Sequence, residues 1–548
     1  MTATHVSAIV ALVSCCASVL PTSLRWLRVG QREHYLPSAT RFAWRWATSS
    51  RTNAFAPLVA LACVIAGAFA PAALIATAIV MAVTPARLGV RGRTSKLVWT
   101  RRLRTVAGAL WIVAAIEIVV SALLGGVWGA AVGAGVAVVT VPFLLDVVLW
   151  VLAPIERRLS QRFVDEARAK VARVRPRIVA ITGSYGKTTT KNYVAHLIAD
   201  RFDVVASPRS FNNRAGLART VNDLLTPSTE VLVAEMGTYG PGEIASMCSW
   251  LPPTVAMITA IGPVHLERFK SLDVTLSSKS EITVGAEVTV LNVDDPRLAG
   301  LADRLQSSGA KVLRCSAVAS ADSALAADSA PAGSAPAGSA TAGSAPADVA
   351  VVAEAGTLVL TLSGVRQGSV EVPPGAMPSA LSNVACAAAA AIALGSEPAE
   401  ILPRLASLPT TANRLTVTTA PSGVVVLDDT FNSNPAGAAI ALRLLAEHAT
   451  EGHRAVLVTP GMVELGPLQR QENAKFAEAA ACIATDVLVV GRTNAAALCA
   501  GVDAAVASGE TCNLIRAKSR DDAVGLLRTA LGPGDVVLYE NDLPDHFP

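Results

Sequence analysis

Apolar residues crowd the first 153 positions of this 548-residue chain, and beyond them they fall into short stretches interrupted by polar turns. Long apolar runs occupy residues 4–21, 54–86, 105–124 and 127–153. A helix needs roughly 20 apolar residues to cross a bilayer, so the first, third and fourth runs each predict one crossing. The longer run from Ala54 to Ala86 is broken at Pro71 and fits two short crossings or one tilted crossing. Positive charge decides between them. Arg25, Arg28, Arg32, Arg41, Arg45 and Arg51 separate the first two runs; Arg87, Arg91, Arg93, Lys96, Arg101, Arg102 and Arg104 precede the third; Arg157, Arg158, Arg162, Arg168, Lys170, Arg173, Arg175 and Arg177 follow the last. Basic loops stay on the cytoplasmic side, which requires an even number of crossings between them. Residues 54–86 are therefore predicted to form a hairpin turning near Gly67 to Pro71, and residues 105–153 a second hairpin turning at Gly125 and Gly126. The expectation is about five spans over residues 1–153, a basic cytoplasmic linker at 154–175, and a multi-pass protein of the cytoplasmic (inner) membrane. A cleaved signal peptide is the alternative for residues 1–21, which lack its basic leading segment. Glu117 and Asp146 fall inside predicted spans, where an ionisable group is costly. Asp146, close to a span's end, reads as capping a helix end or pairing with a neighbouring span; for Glu117 that reading and a functional site stand level.

From Pro176 onward the pattern changes to alternating strands and helices. Ile178–Ile181, Val231–Ala234, Val255–Ile258 and Glu287–Leu291 read as buried strands with helical stretches between them, the mark of a mostly parallel sheet wrapped by helices. Residues 329–348 repeat Ser-Ala-Pro-Ala-Gly with no bulky side chain and are expected to form a flexible loop, the centre of a disordered Ala/Ser/Gly/Pro insertion at about 316–348. Helix returns from Ser382 to Leu394, and a further α/β segment opens after Arg414. The fold class expected is α/β: a phosphate-loop mononucleotide-binding central domain at 176–414 and a smaller, Rossmann-like C-terminal domain at 415–548, preceded by an α-helical transmembrane region.

Composition sharpens this picture only a little. A hydrophobic content of 52% and a mean hydropathy of +0.47 are too apolar for an ordinary soluble enzyme, and the excess sits at the front. The formal net charge of +4 comes from the membrane-flanking segments and points to anionic lipid headgroups rather than nucleic acid. Nine cysteines are scattered, adjacent only at Cys15 and Cys16, so neither a zinc ribbon nor a disulfide framework is indicated.

The strongest chemical signal is residues 181–191, Ile-Thr-Gly-Ser-Tyr-Gly-Lys-Thr-Thr-Thr-Lys, between a buried strand and a helix. Gly183 and Gly186 let backbone N–H groups close on phosphate oxygens across Ser184 and Tyr185. Lys187 supplies a positive charge, and Thr188, followed by Thr189, a hydroxyl for Mg²⁺. The turn is two residues shorter than the usual GxxxxGK[ST] loop, yet its strand-turn-helix context marks a site for a nucleoside triphosphate. Polar residues then recur at strand ends: Phe211-Asn212-Asn213, Glu235-Met236-Gly237, Gly242-Glu243-Ile244, His265, and Lys279-Ser280-Glu281. Taken singly, each of these is more often structural than chemical.

In this order and spacing the motifs resemble the Mur ligase family, ATP-dependent enzymes that form amide bonds in peptidoglycan precursors, and especially its D-alanyl-D-alanine-adding members. The resemblance covers about residues 176–535. It implies that Lys187 grips the β and γ phosphates of ATP, that Thr188 and Glu235 hold one Mg²⁺, and that His265 holds a second metal. It further implies that Lys279 is carboxylated on its amine to a metal-facing carbamate. Lys187, His265 and Lys279 are thus the implied catalytic residues. Asn383 matches the adenine-contacting Asn, and Arg414 the arginine that reaches the phosphates from the interdomain junction. Asp429 lies in Asp428-Asp429-Thr430-Phe431-Asn432-Ser433-Asn434-Pro435, which resembles the family's segment opening the C-terminal domain. Gly461-Met462-Val463-Glu464-Leu465-Gly466 resembles a further family turn.

The departures bear on substrate. Membrane spans stand where the family has a domain for the UDP sugar. Arg214 replaces an acidic residue, Ser379 a histidine, and Leu538-Tyr539-Glu540-Asn541-Asp542 a basic segment. The reading that follows is a membrane-anchored carboxylate–amine ligase using ATP and Mg²⁺ through an acyl phosphate, acting on an envelope precursor, with a lipid-linked acceptor as one candidate. The alternatives are joining of D-alanyl-D-alanine to UDP-MurNAc-tripeptide, and a non-catalytic nucleotide-binding scaffold.

Overall fold

The computed structural model of the chain describes residues 3–86, 88–90, 96–208, 211–317, 346–373, 380–409, 415–431, 433–543 and 547. Arg414, Ser379, Asn432 and all but a few residues of the 316–348 insertion lie outside this set.

The apolar front of the chain forms α1 (Ala3–Arg32), α2 (Ala39–Ser49), α3 (Arg51–Gly67), α4 (Ala73–Val83) and α5 (Arg101–Val174). Both predicted hairpins are present. α3 and α4 pack together across a turn containing Pro71, with Thr77 Oγ1 donating to Ala60 O at 3.2 Å. α5 is two helices, broken where Gly125 and Gly126 leave helical backbone angles (φ −139° and +60°). Trp128 Nε1 donates to Gly67 O at 2.7 Å, which puts the two hairpin turns at one end of the bundle. At the other end the Arg25 guanidinium takes the last carbonyls of α4, Met81 O at 3.2 Å and Thr84 O at 3.0 Å. Asp146 there accepts from Ala39 N and Thr40 N at 2.8 and 2.9 Å and so caps α2, one of the two structural roles expected of it. By length and composition, two helices among the described residues are able to cross a membrane, Ala3–Arg32 and the stretch Arg101–Glu156, or three if the bent pair α2 and α3 counts as one. α4, with 11 residues at 1.5 Å each, reaches only about 17 Å.

Beyond residue 153, α5 continues as helix through the basic stretch to Val174, and its end joins the next core: Val164, Ala167 and Val171 are buried with Leu217 and Val221. That core flanks a sheet of nine strands among the described residues, in the order β2-β3-β1-β4-β5-β6-β7-β8-β9. The strands are β1 (Arg177–Thr182), β2 (Val204–Ala206), β3 (Val231–Glu235), β4 (Val255–Ile258), β5 (Val288–Asn292), β6 (Val312–Ser316), β7 (Val349–Glu354), β8 (Thr357–Leu362) and β9 (Val365–Glu371). Pairing is parallel from β2 to β7 and antiparallel from β7 to β9. Strand side chains alternate between faces. Val179 and Ile181 enter a core with the helix Leu381–Ala393, and Ile178 and Ala180 enter the core that receives α5. Residues Val384 to Ala391 are all buried, because side chains this small let the helix lie enclosed against the sheet.

A second sheet of six strands among the described residues is ordered β10-β11-β15-β12-β13-β14. It comprises β10 (Thr416–Thr419), β11 (Val425–Asp429), β12 (Ala455–Thr459), β13 (Asp486–Val490), β14 (Asn513–Ala517) and β15 (Val536–Glu540), parallel except for β10. In both sheets strand order reverses beside a central strand, and the carboxyl ends of the strands at such a reversal form the crevice where α/β proteins take ligands.

Candidate active site

The phosphate loop leaves the carboxyl end of β1 and enters α6 (Lys187–Ile198) with Gly186 in left-handed backbone at φ +77°. A Cβ on Gly186 would lie 2.1 Å from Asn383 Oδ1, and one on Gly183 2.0 Å from Thr259 Oγ1. The loop is stitched to the segment after β4: Ser184 N donates to Ala260 O at 2.8 Å, and Gly262 N to Ser184 Oγ at 2.9 Å. Lys187 Nζ donates to Gly183 O at 2.7 Å. Asn383, at the start of the Ala-rich helix, thus covers the loop from a sequence distance that no local pattern reveals.

Glu235 ends β3 in register with Ile181 of β1, which sets its carboxylate level with the loop. The buried side chain accepts from Thr188 Oγ1 at 2.8 Å and Asn212 Nδ2 at 2.9 Å. Asn213 instead caps α7 (Arg214–Leu224), through Gly216 N at 2.9 Å. Glu243 and Glu281 also act locally. Glu243 accepts from Tyr239 N at 2.8 Å, and Glu281 caps α8 (Glu243–Cys248) through Gly242 N at 2.7 Å and Ala245 N at 3.0 Å.

His265 has left-handed backbone, φ 56°, and precedes the single-turn helix α9 (Leu266–Phe269), which ends at left-handed Lys270, φ 68°. Such angles cost a residue with a Cβ roughly 1–2 kcal/mol each. The imidazole Nδ1 meets Glu464 Oε2, which comes from the turn after β12. Burial alone would push the Glu464 carboxyl up, but the hydrogen bond and charge of His265, with the charges of Arg268 and Arg41, hold it down at about 2. Tyr239 stands edge-on to His265 with ring centroids 5.0 Å apart.

Lys279 lies in α10 (Leu272–Ser280) and is 4% exposed. Burial drives its ammonium well below the ordinary lysine value, and the Lys187 charge adds to the effect. Among the described residues, no three His, Cys, Asp or Glu side chains form a metal-binding group. Thr188 is paired with Glu235, whereas His265 is paired across the sheets with Glu464. Asp429 ends β11 in register with Glu540 of β15, and it accepts from Leu415 N at 3.1 Å. Burial, with the Asp429 carboxylate beside it, pushes the Glu540 carboxyl well up, and Ser433 Oγ donates to it at 2.5 Å.

Residues 181–335 match the Mur ligase middle domain, and residues 413–539 the glutamate ligase domain of Mur ligases. The UDP-N-acetylmuramoyl-tripeptide–D-alanyl-D-alanine ligase of Mycobacterium leprae is 32% identical over 385 residues, 66% of this chain and 70% of the relative. The chain belongs to the Mur ligase family. It is an ATP-dependent ligase that forms carbon–nitrogen bonds. The enzyme of the same name from Escherichia coli K12 is 28% identical over 364 residues, 66% of this chain and 74% of that one. In fold, the chain is similar to a MurF ligase of Thermotoga maritima solved with ADP, with a TM-score of 0.55, 22% identity, and 70% and 80% of the two chains covered. MurF of Acinetobacter baumannii follows at 0.54, with 22% identity and coverage of 69% and 76%.

Two family departures have a visible structural use. Arg214 donates to Gln161 Oε1 on α5 at 2.6 Å, and Glu540 is buried beneath Ser433. Sequence reasoning missed Glu464 as a partner of His265, although the turn that carries it had been singled out. It also missed Tyr239 and Arg268, and it read Arg25, Arg28, Arg41 and Arg45 only as charge for the lipid surface. Arg25 and Arg28 are buried, and Arg41 and Arg45 bind Glu267 at 3.0 and 2.5 Å.

Proposed function

We propose that this Mur ligase is anchored in the cytoplasmic membrane and joins a carboxylate to an amine on a cell-envelope precursor, at the cytoplasmic face, through an acyl phosphate. The observation that carries the reading is the joining of two features by α5: an enclosed phosphate loop with its Thr188–Glu235 pair, and a helical bundle whose outside is apolar. Val13, Leu58, Ile65, Ile112, Ile116, Val119, Phe143 and Trp150 are all exposed on that bundle, and an exterior of this kind suits lipid. The same reading takes residues 1–153 as the membrane region, 154–175 as its cytoplasmic exit, 176–414 as the nucleotide domain and 415–548 as the second ligase domain.

The loop residues fit a nucleotide. Gly183 and Gly186 leave room that a Cβ would fill, and the positive N-terminal end of α6 faces the same space. Thr188 and Glu235 would hold Mg²⁺, and His265 with carboxylated Lys279 a second ion. Bound there, the ions would neutralise charge between a carboxylate and a triphosphate that otherwise repel. Lys187, freed from Gly183 O, would reach the phosphates; Asn383 and Asp429 would contact the nucleoside, and Arg414 the phosphates from the junction. Domain closure then brings the reactants together.

A lipid-linked acceptor accounts for the membrane helices, since anchoring confines enzyme and substrate to one surface. The test is full-length protein in lipid nanodiscs with ATP, Mg²⁺ and lipid extract, followed by mass spectrometry of products. Phosphate release and an amide on a lipid-soluble product are expected; failure to release phosphate with any amine would overturn the reading. The names of the relatives favour a second reading, addition of D-alanyl-D-alanine to UDP-N-acetylmuramoyl-tripeptide. A water-soluble amide product in the same assay would select it.

A further inference from the structure

The helical bundle meets the candidate site around the turn that carries His265 and the neighbouring Tyr239. Between α1 and α2 the chain makes a tight corner, with Tyr35 N donating to Gly30 O at 2.7 Å, and Asp146 fixes the start of α2. From that corner the Glu33 carboxylate, 7% exposed, accepts from Arg268 at 3.1 Å. The His34 ring lies 5.3 Å from Tyr239, and the Arg268 guanidinium lies over the same tyrosine at 4.6 Å. One helical turn apart on α2, Arg41 and Arg45 both grip Glu267, at 3.0 and 2.5 Å. The C-terminal Phe547 packs edge-on against Phe42 of α2 at 5.4 Å, with the Arg45 guanidinium 5.8 Å from its ring.

These groups enclose a cavity of about 10 Å³, lined by Arg41, Arg45, His265, Arg268 and Glu464 among others, which is room for one water. The arginines are therefore committed to protein carboxylates and not arranged around a ligand. What they hold is unusual backbone: α9 is one turn bracketed by two left-handed residues, His265 and Lys270. Backbone of this kind persists only where its surroundings over-determine it. On its far side the turn meets the second sheet through Glu464, and Gly466 sits against Leu266 and Glu267.

We propose that Arg41 and Arg45 are positioning residues of the ligase: by gripping Glu267 they hold the His265 turn where it receives Glu464, so that seating of the C-terminal ligase region depends on the membrane helices. The proposal rests on the reading of His265 as a site residue, and its test needs no turnover. Glu267 is 17% exposed, Arg45 29% and Arg41 41%, so the Arg45 pair is partly buried and the Arg41 pair lies nearer the surface. Removing both arginines leaves a half-buried carboxylate without its cations.

The experiment is amide hydrogen exchange, read by mass spectrometry, on the full chain in lipid nanodiscs. In Arg41→Gln/Arg45→Gln, exchange is expected to rise at least tenfold in residues 265–270 and in residues 461–466. Increased exchange confined to α2, or continued protection of 461–466, overturns the proposal. Should the neutral variant unfold, exchange will also rise in β12. The charge-swapped Arg45→Glu/Glu267→Arg chain then carries the test: it must regain protection in both segments relative to Arg45→Glu alone, and failure to do so equally overturns the proposal. Absence of ligase activity in the unaltered chain would count against the functional reading and leave the exchange result standing.

Discussion

Replacing Gly186 by alanine tests the nucleotide cradle at its narrowest point. The new Cβ would stand 2.1 Å from Asn383 Oδ1, 2.9 Å from its Cγ and 3.2 Å from its Nδ2, so the amide must retreat by about 1 Å to regain ordinary contact. The backbone at φ +77° adds a left-handed penalty of about 1–2 kcal/mol. Either the loop relaxes toward ordinary angles and its N–H groups leave the phosphate position, or Asn383 is displaced from its place over the loop. Both weaken nucleotide binding, by about 1.4–2.8 kcal/mol in total, which is a tenfold to hundredfold rise in Kd. The assay is titration of the full-length protein in nanodiscs with a fluorescent ATP analogue. Gly240→Ala is the control, since a Cβ there meets nothing within 4 Å. A double-mutant cycle with Asn383→Ala separates the steric part from the backbone part: Gly186→Ala should cost less when Asn383 is already truncated. Affinity unchanged in Gly186→Ala, with Gly240→Ala behaving identically, would refute the reasoning.

Glu235→Gln keeps the shape of the acceptor for Thr188 and Asn212 but removes the charge; turnover with Mg²⁺ and ATP should fall at least a hundredfold while metal-free nucleotide affinity changes less than threefold. Glu464 is held down at about 2, so its pairing with His265 contributes fully above the ordinary carboxylate range and is lost as pH falls toward 2. Thermal unfolding of Glu464→Gln should accordingly lie a few degrees below the unaltered protein at pH 7, with the gap shrinking at pH 3. Lys279→Met keeps an apolar body and removes a buried amine; ligation should be abolished while the unfolding temperature holds or rises, and loss of activity together with a large drop in that temperature would mark Lys279 as structural.

The phosphate loop was legible because its signal is local: a strand, two glycines, a lysine and a helix within eleven residues need no partner to be recognised. The hairpins of the bundle were equally plain, since a break at Gly125 and Gly126 between apolar runs, with basic segments beyond, leaves few alternatives. Other features depended on pairings that a sequence does not print. Glu235 reaches Thr188 because β3 lies parallel to β1 in a register that matches Glu235 with Ile181. Asn383 reaches Gly186 because a helix of small side chains can be buried whole against the sheet. Arg41 meets Glu267 across 226 positions of sequence, so its charge could be read only as one more cation near a membrane.

By itself the sequence determined the class of the protein, its apolar front and its strand, glycine-rich loop and helix, for each is written in the periodicity and turn chemistry of adjoining residues. Only tertiary structure decided which carboxylate His265 meets, which arginines meet Glu267, and that α5 runs from the bundle into the core beside the first sheet. Side-chain partners far apart in the chain are chosen by strand register and helix packing, which form only when the whole molecule closes on its cores.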